Sequence, residues 1–184
     1  MKFNTFASVD TRLAAQELAM TAPQWDAFKS RQTFPGSPHV DTKCIPLRGA
    51  SSFLDSYYPK AKRRATTYAK QLPHTAALVN GVLKHMNVAT VGNVLAVALR
   101  PGGYIRPHID EGAYPEHFDR FHIAVTSPDE CYFCVDGDFF FPKQGDAFFF
   151  NHRVTHSVGN PSAEWRVHII VDVTLKEPTH EPHQ

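Results

Sequence analysis

The second half of this chain is a series of short β-type runs separated by turn sequences, and this pattern limits the folds that it can adopt. Runs rich in Val, Ile, Phe and Tyr alternate with Gly-Gly, Ser-Pro-Asp, Asp-Gly-Asp, Gln-Gly-Asp and Asn-Pro-Ser segments. Strands of this length and spacing are typical of a sandwich or a jelly-roll barrel. We predict eight strands, at Asn93–Leu99, Tyr104–Asp110, Arg120–Thr126, Cys131–Val135, Phe139–Phe141, Asp146–Phe150, Thr155–Val158 and Trp165–Val173.

Residues 1–92 have a different pattern, and we expect them to form a helical and extended flank that packs on the β core. The periodicity predicts an amphipathic helix over Asp10–Met20 and two more helices around 51–58 and 64–86, interrupted near Pro59 and Pro73. Val40–Leu47 is predicted to be extended. Four basic residues near the start of the last helix are interpreted as a solvated face: Lys60, Lys62, Arg63 and Arg64.

Length and charge narrow the class of protein. A chain of 184 residues favours one domain over 1–184, with a core at 93–173 and a polar tail at 174–184. The chain has 19 Lys and Arg against 18 Asp and Glu, and a net charge of +1 is too small to favour binding to nucleic acid or to an anionic membrane. No apolar run approaches the roughly 20 residues that span a bilayer, and the first residues lack a signal-peptide pattern. We therefore predict a cytoplasmic protein without membrane or nucleic-acid partners.

Histidine and aspartate recur at a spacing that suits a metal site. Residues two apart on a strand share a face, and two His with one carboxylate form the usual ligand set of non-haem Fe(II) oxygenases. Three His-x-Asp pairs occur: His39/Asp41, His108/Asp110 and His117/Asp119.

The position of each pair in the chain favours His108/Asp110 as the first two ligands. This pair lies at the end of the predicted strand that follows Gly102. The pair His39/Asp41 lies before the helices and is expected to cap or to hydrogen-bond, and His117/Asp119 lies in a polar loop and is expected at the surface. A buried, metal-free hydrogen-bonded pair is the alternative for His108 and Asp110.

The third ligand has two candidates, His152 and His156. His152 follows a Phe-Phe-Phe-Asn sequence and precedes Arg153, which indicates a turn. His156 begins the strand predicted at Thr155–Val158, so we favour His156.

The last predicted strand carries an arginine on its inward face. Arg166, His168 and Ile170 share one face, and the opposite face is apolar and expected to pack under the helices. A buried arginine needs an anionic partner, and its guanidinium pairs with a carboxylate through two parallel hydrogen bonds. A dicarboxylate cosubstrate meets that need, and a structural ion pair with an internal Asp or Glu is the alternative.

Two more basic residues, Arg120 and His122, share a face of the strand Arg120–Thr126. If they converge on the same cavity, they suggest an acidic or carboxylate-bearing ligand. A hydrogen-bonded core histidine is an equal interpretation of His122.

Phenylalanine is concentrated in the predicted core, since nine of the 14 Phe residues lie between Phe118 and Phe150. We expect the runs Phe139–Phe141 and Phe148–Phe150 to build the barrel walls and to shield the site from water.

Several motifs together resemble the aspartyl/asparaginyl β-hydroxylase family. The resemblance covers about residues 93–173 and implies a cupin-type, double-stranded β-helix oxygenase that depends on Fe(II) and 2-oxoglutarate. The motifs, in chain order, are Pro101–Asp110, Arg120-Phe121-His122, Gly145-Asp146-Ala147-Phe148, His156–Asn160 and Arg166-Val167-His168.

The same resemblance implies a role for each candidate residue. His108, Asp110 and His156 would bind the iron, and Arg166 would pair with the distal carboxylate of 2-oxoglutarate. Arg120 and His122 match the Arg-x-His motif of the family, which implies contacts to the cosubstrate or substrate. Some family members lack the carboxylate ligand, whereas Asp110 supplies it here.

The predicted function is hydroxylation of a C–H bond with O2 and 2-oxoglutarate, releasing succinate and CO2. The substrate would be an amino acid, a peptide or protein side chain, or a small metabolite. One alternative is a zinc-dependent hydrolase, which would use the same three ligands without needing Arg166. The other is a non-catalytic cupin-like binding or sensing module.

Overall fold

Two antiparallel sheets with flanking helices make up this protein, as described here from a computed structural model for residues 2–26, 28–52 and 54–176. The helices are α1 (Arg12–Glu17), α2 (Ser30–Thr33), α3 (Thr67–Gln71), α4 (Pro73–Lys84) and α5 (Ala113–His117), with 3-10 turns at Pro23–Asp26 and Leu54–Tyr57. The strands are β1 (Phe3–Ser8), β2 (Thr42–Ala50), β3 (Arg63–Ala65), β4 (Val88–Leu99), β5 (Gly103–His108), β6 (Asp119–Thr126), β7 (Tyr132–Val135), β8 (Asp138–Phe140), β9 (Asp146–Phe150), β10 (His156–Asn160) and β11 (Arg166–Leu175). Within the described ranges, no helix is long and apolar enough to cross a membrane.

The two sheets face each other as in a jelly roll. The larger sheet has the strand order β1-β9-β6-β11-β4-β2-β3, and the smaller has the order β5-β10-β7-β8. Apolar side chains from both sheets meet between them, including Leu99 of β4, Phe148 of β9 and Phe133 of β7. All eight strands predicted from the sequence are present, as β4–β11, and the mainly β prediction with a jelly-roll core is confirmed.

The two faces of β11 determine where the core and the cavity lie. Its apolar face, which includes Val167, Ile169 and Val171, packs in one cluster with Leu18 just after α1 and Val79 of α4. Burial of each such side chain stabilises the fold by about 1.5–3 kcal/mol. The opposite face carries Arg166, His168 and Ile170, which are directed toward the smaller sheet, as the alternation predicted.

The first half of the chain contributes more strand than the sequence pattern indicated. β1, which was not predicted, pairs with β9, and β2 joins β3 to the far side of the larger sheet. The helix predicted over Asp10–Met20 is only Arg12–Glu17. The segment 64–86 contains part of a strand and two helices, because Pro73 begins a new helix there.

The interpretation of the basic cluster as a solvated face is wrong for Arg63. This side chain is buried, and its guanidinium donates to the Asn93 Oδ1 and to the carbonyls of Tyr58 and Ala61. A residue in an edge strand can turn its side chain inward, which a helical reading of the segment did not allow.

The expectation for the Phe139–Phe141 run is also wrong in part. Phe139 and Phe141 are 61% and 49% exposed, and only Phe140 turns inward, against Phe148. Side chains alternate along a strand, so three consecutive Phe cannot all face the interior. For the same reason Phe149 packs on the helical side, next to Phe6, and does not line the cavity.

Candidate metal centre

Adjacent strands bring His108, Asp110 and His156 together. His108 ends β5 and His156 begins β10, and the two residues are paired opposite each other in that antiparallel ladder. Asp110 follows two residues after β5. One potential ligand atom from each residue lies within 4.8 Å of the others, which is close enough for a single metal ion.

The backbone orients both imidazoles for coordination. The Nδ1 of His108 lies 2.8 Å from the Arg106 carbonyl, and the Nδ1 of His156 lies 3.0 Å from the Val154 carbonyl. With Nδ1–H donating to these carbonyls, Nε2 is the free ligand atom on each ring. Burial lowers the pKa of His108 and lowers that of His156 to about 4, so both rings are neutral near pH 7 and ready to bind a cation.

Asp110 is held as a carboxylate by its neighbours. Its Oδ2 accepts from the Arg120 Nη1 at 2.5 Å, and the His152 Nδ1 lies 3.4 Å away without the alignment of a hydrogen bond. Burial alone would raise the pKa of Asp110, but Arg120 and His152 outweigh it and hold that pKa well below its usual range. The second oxygen, Oδ1, lies 3.7 Å from the His108 Nε2 and completes the ligand group.

Arg120 is fixed between two carboxylates. Its Nε donates to the Asp172 Oδ1 at 2.8 Å, while its Nη1 binds Asp110. The Tyr114 hydroxyl donates to the Asp172 Oδ2 at 2.9 Å and accepts from the backbone N–H of Asn93. Arg120 lines the cavity as predicted, but its charge is neutralised by protein groups and serves to orient Asp110.

Arg166, unlike Arg120, has no carboxylate partner among the described residues. Its side chain is buried, its guanidinium lies 4.9 Å from the centre of the Phe133 ring, and its Nη2 lies 2.8 Å from the His168 Nδ1. The Nε is buried without a partner, and in the described part of the chain no carboxylate lies within 4.0 Å. Burial lowers the pKa of Arg166 to about 9, because the charged guanidinium is costly in this apolar setting without an anionic partner.

His122 lies among aromatic rings rather than in a hydrogen-bonded network. Phe133, Phe148 and Phe150 surround its imidazole at 5.3–5.5 Å between ring centres, with His168 at 5.8 Å. Both ring nitrogens are buried without a partner. Burial, reinforced by the Arg166 charge, lowers the pKa of His122 well below its usual value, so the ring is a neutral cavity residue.

These groups share one cavity between the two sheets, which opens to solvent on one side. Two of its residues come from the first half of the chain and were not predicted, Arg31 and His39. The cavity is lined by Arg31, His39, Val97, Ile105, His108, Arg120, His122, Phe133, Phe150, His156, Val158, Arg166 and Ile170.

The other His-x-Asp pairs lie outside the ligand group. Asp41 accepts from the Arg100 Nε and from the Tyr104 amide, which confirms the expected hydrogen-bonding role. His117 is exposed, as predicted. His39 hydrogen-bonds as expected, to the Nη2 of Arg31, and its ring also lies edge-on to the His108 ring with 5.0 Å between centres.

The residues that support the site were the hardest to find in the sequence. Asp172 lies on the same face of β11 as Arg166, so strand alternation alone could have indicated it. His152 occupies the predicted turn but is buried behind Asp110, with its Nε2 3.2 Å from the Phe118 carbonyl. Tyr114 comes from α5, in the segment predicted to be a polar loop, and no local pattern marks it.

Fold and site together define a class: a jelly-roll protein with a His-Asp-His group able to hold one metal ion between its sheets. The chain belongs to the Aspartyl/Asparaginyl beta-hydroxylase family, which it matches over residues 20–175. That match extends beyond the predicted 93–173 and includes the segment with Arg31 and His39. No curated protein matches this chain.

Solved structures with a similar fold include two oxygenases. ThoJ, a non-heme monooxygenase determined with nickel, is 14% identical with a TM-score of 0.53, over 95% of this chain and 74% of ThoJ. The viral collagen prolyl hydroxylase vCPH of Paramecium bursaria chlorella virus-1, determined with 2-oxoglutarate, is 12% identical with a TM-score of 0.51, over 94% of this chain and 96% of vCPH. At these identities the similarity establishes the fold.

Proposed function

We propose that this protein is an Fe(II)- and 2-oxoglutarate-dependent dioxygenase that hydroxylates a C–H bond of an amino acid, a peptide or protein side chain, or a small metabolite. The observation that carries the proposal is Arg166, a buried guanidinium without a carboxylate partner in the described residues, in the same cavity as the His-Asp-His group. A hydrolase would need the three ligands only and has no use for such an arginine.

The donor set fits ferrous iron. Two neutral imidazoles from His108 and His156 and one carboxylate from Asp110 form a facial set that leaves coordination positions open for small ligands. When bound, iron with 2-oxoglutarate and O2 would supply the oxidation that converts a substrate C–H to C–OH, with succinate and CO2 as co-products. The 2-oxoglutarate complex of vCPH, a protein of the same fold, supports this choice of cosubstrate.

The chain itself would bind, orient and exclude water. Arg166 would pair with the distal carboxylate of 2-oxoglutarate, and its contact with the His168 Nδ1 fixes the direction of the guanidinium. Arg120 and Asp172 would hold the Asp110 carboxylate in one orientation. Phe133 and Phe150 line the cavity and would keep water from the reacting groups.

Cosubstrate binding tests the proposal directly. Under anaerobic conditions, calorimetry with Fe(II) and 2-oxoglutarate should show one equivalent of each binding to the wild-type protein. Arg166→Met should keep Fe(II) binding and weaken 2-oxoglutarate binding about tenfold or more, because a charge-assisted bidentate pair is lost. His108→Ala should lose both.

The matched control is Arg64→Met, which removes an exposed arginine outside the cavity and should change neither affinity. Admission of O2 to the wild-type complex should release succinate. Zinc binding without any affinity for 2-oxoglutarate would contradict the proposal and favour the hydrolase.

A further inference from the structure

A second arginine reaches the same cavity from outside the β core. Arg31 belongs to α2, in the first half of the chain, and lines the cavity with His108 and Arg120. Its backbone is anchored, since the Arg31 carbonyl accepts from the Ser37 hydroxyl at 2.6 Å. A surface helix has therefore placed a guanidinium beside the ligand group.

Arg31 has no anionic partner within the described residues. Its Nη2 lies 3.2 and 3.3 Å from the two ring nitrogens of His39, and its Nε is buried without a partner. No carboxylate of the described chain lies within 4.0 Å of it, in contrast to Arg120, which has two. A buried charge without a counter-ion is costly, and a ligand anion removes that cost.

His39 links Arg31 to the ligand group. Its ring is edge-on to that of His108, at 5.0 Å. It can hold the guanidinium in place and can itself hydrogen-bond to a ligand beside the metal.

The net charge of the cavity favours one further monoanion beside Arg31. This charge count rests on the proposed function, because it includes the metal ion and 2-oxoglutarate. Three guanidiniums and a divalent metal, set against Asp110 and Asp172, leave three positive charges. Bound 2-oxoglutarate removes two. One positive charge remains, and Arg31 is the guanidinium still unpaired.

We propose that Arg31, positioned by His39, binds a carboxylate of the substrate beside the metal. The substrates of this protein are therefore carboxylate-bearing compounds, such as a free amino acid or an acidic side chain, and compounds without a carboxylate are excluded. Arg166 would bind a carboxylate of the cosubstrate, and Arg31 would bind a carboxylate of the substrate.

Acetate and acetamide test this proposal, since they have nearly the same shape and differ in charge. Saturation-transfer NMR on the protein loaded with diamagnetic zinc and 2-oxoglutarate should show acetate binding about tenfold more tightly than acetamide. Arg31→Gln should reduce acetate to the acetamide level, and Arg31→Lys should retain part of the difference. Arg64→Gln is the matched control and should behave as wild type.

The 2-oxoglutarate affinity of Arg31→Gln should remain within about twofold of wild type, because Arg166 supplies that contact. Equal binding of acetate and acetamide by the wild type overturns the proposal and needs no variant. Undiminished acetate binding by Arg31→Gln also overturns the proposal, because it would place the acetate on the metal. A loss of 2-oxoglutarate binding by that variant overturns it as well. If the wild type binds no 2-oxoglutarate, the proposed function fails, and the acetate comparison on the zinc protein alone still decides the role of Arg31.

Discussion

Three arginines in one cavity illustrate how the surroundings of a residue decide its role. Arg120 lies between two carboxylates, whereas the side-chain hydrogen-bond partners of Arg166 and Arg31 in the described residues are histidines. Burial alone would lower the pKa of Arg120, but Asp172 and Asp110 outweigh it and raise that pKa. Arg120 is therefore a positioning residue for Asp110, and the other two remain available to ligand anions.

We expect Asp172→Asn to weaken metal binding although Asp172 is not a ligand. Loss of its charge loosens Arg120 and, through it, Asp110, and changes in such supporting groups typically cost about 10–100-fold in metal affinity. Calorimetric titration of the folded protein with zinc measures the effect. Asp119→Asn removes a carboxylate paired with Arg153 near the surface and should leave the affinity unchanged. Equal affinities for the two variants would show that the Arg120–Asp172 pair does not support the ligand group.

At the scale of the element, β11 separates stability from binding by the alternation of its side chains. One face contributes Ile169 and Val171 to the core under the helices, and the other contributes Arg166 and Ile170 to the cavity. Each residue of the strand thus belongs to one of two environments that its parity determines.

Ile169→Ala should lower the free energy of unfolding by about 2–5 kcal/mol, since it leaves a cavity in a fully buried cluster. Leu175→Ala in the same strand removes a side chain that is 46% exposed and should change it by no more than about 0.5 kcal/mol. Denaturant unfolding gives both values. Neither variant should alter 2-oxoglutarate affinity, and a loss in Ile169→Ala at temperatures where it is folded would show that the two faces are coupled.

At the scale of the whole molecule, the space between the sheets holds several histidines in neutral form. Burial lowers the pKa of each, which for His156 falls from 6.5 to about 4. The group comprises His39, His108, His122, His156 and His168. In the unfolded chain these imidazoles take up protons below about pH 6.5, whereas the folded protein keeps them neutral.

The metal-free protein should therefore have its full stability above about pH 6.5 and lose it steadily as the pH falls toward 4. A histidine that stays neutral throughout that window, such as His122, contributes about 1.4 kcal/mol per pH unit. Thermal or denaturant unfolding at a series of pH values measures the slope. His122→Phe should reduce the slope by the share of one histidine, and His85→Gln, at an exposed histidine, should not. A flat profile from pH 7 to 5 would contradict the assignment of buried neutral rings.

Local sequence was sufficient to predict the features that depend on a side-chain period or on a spacing between residues. The alternation in β11 placed Arg166 and His168 inside, and the strand pattern placed all of β4–β11. The His-x-Asp spacing and the start of β10 identified the three residues that the fold brings within 4.8 Å. Each of these features depends on residues a few positions apart, so the sequence alone carries it.

The tertiary structure decided the features that depend on which distant segments meet. Whether Arg120 is free or paired depends on Asp172 in a neighbouring strand, and Arg31 reaches the cavity only because α2 packs beside β2. Likewise, the edge strand β3 buries Arg63, whereas Phe139 and Phe141 stay exposed. Burial and charge pairing are properties of contacts between segments, and no local period in the chain specifies them. The sequence by itself therefore determined the jelly-roll core and the candidate ligand group, and the packing determined which arginines are open to a ligand.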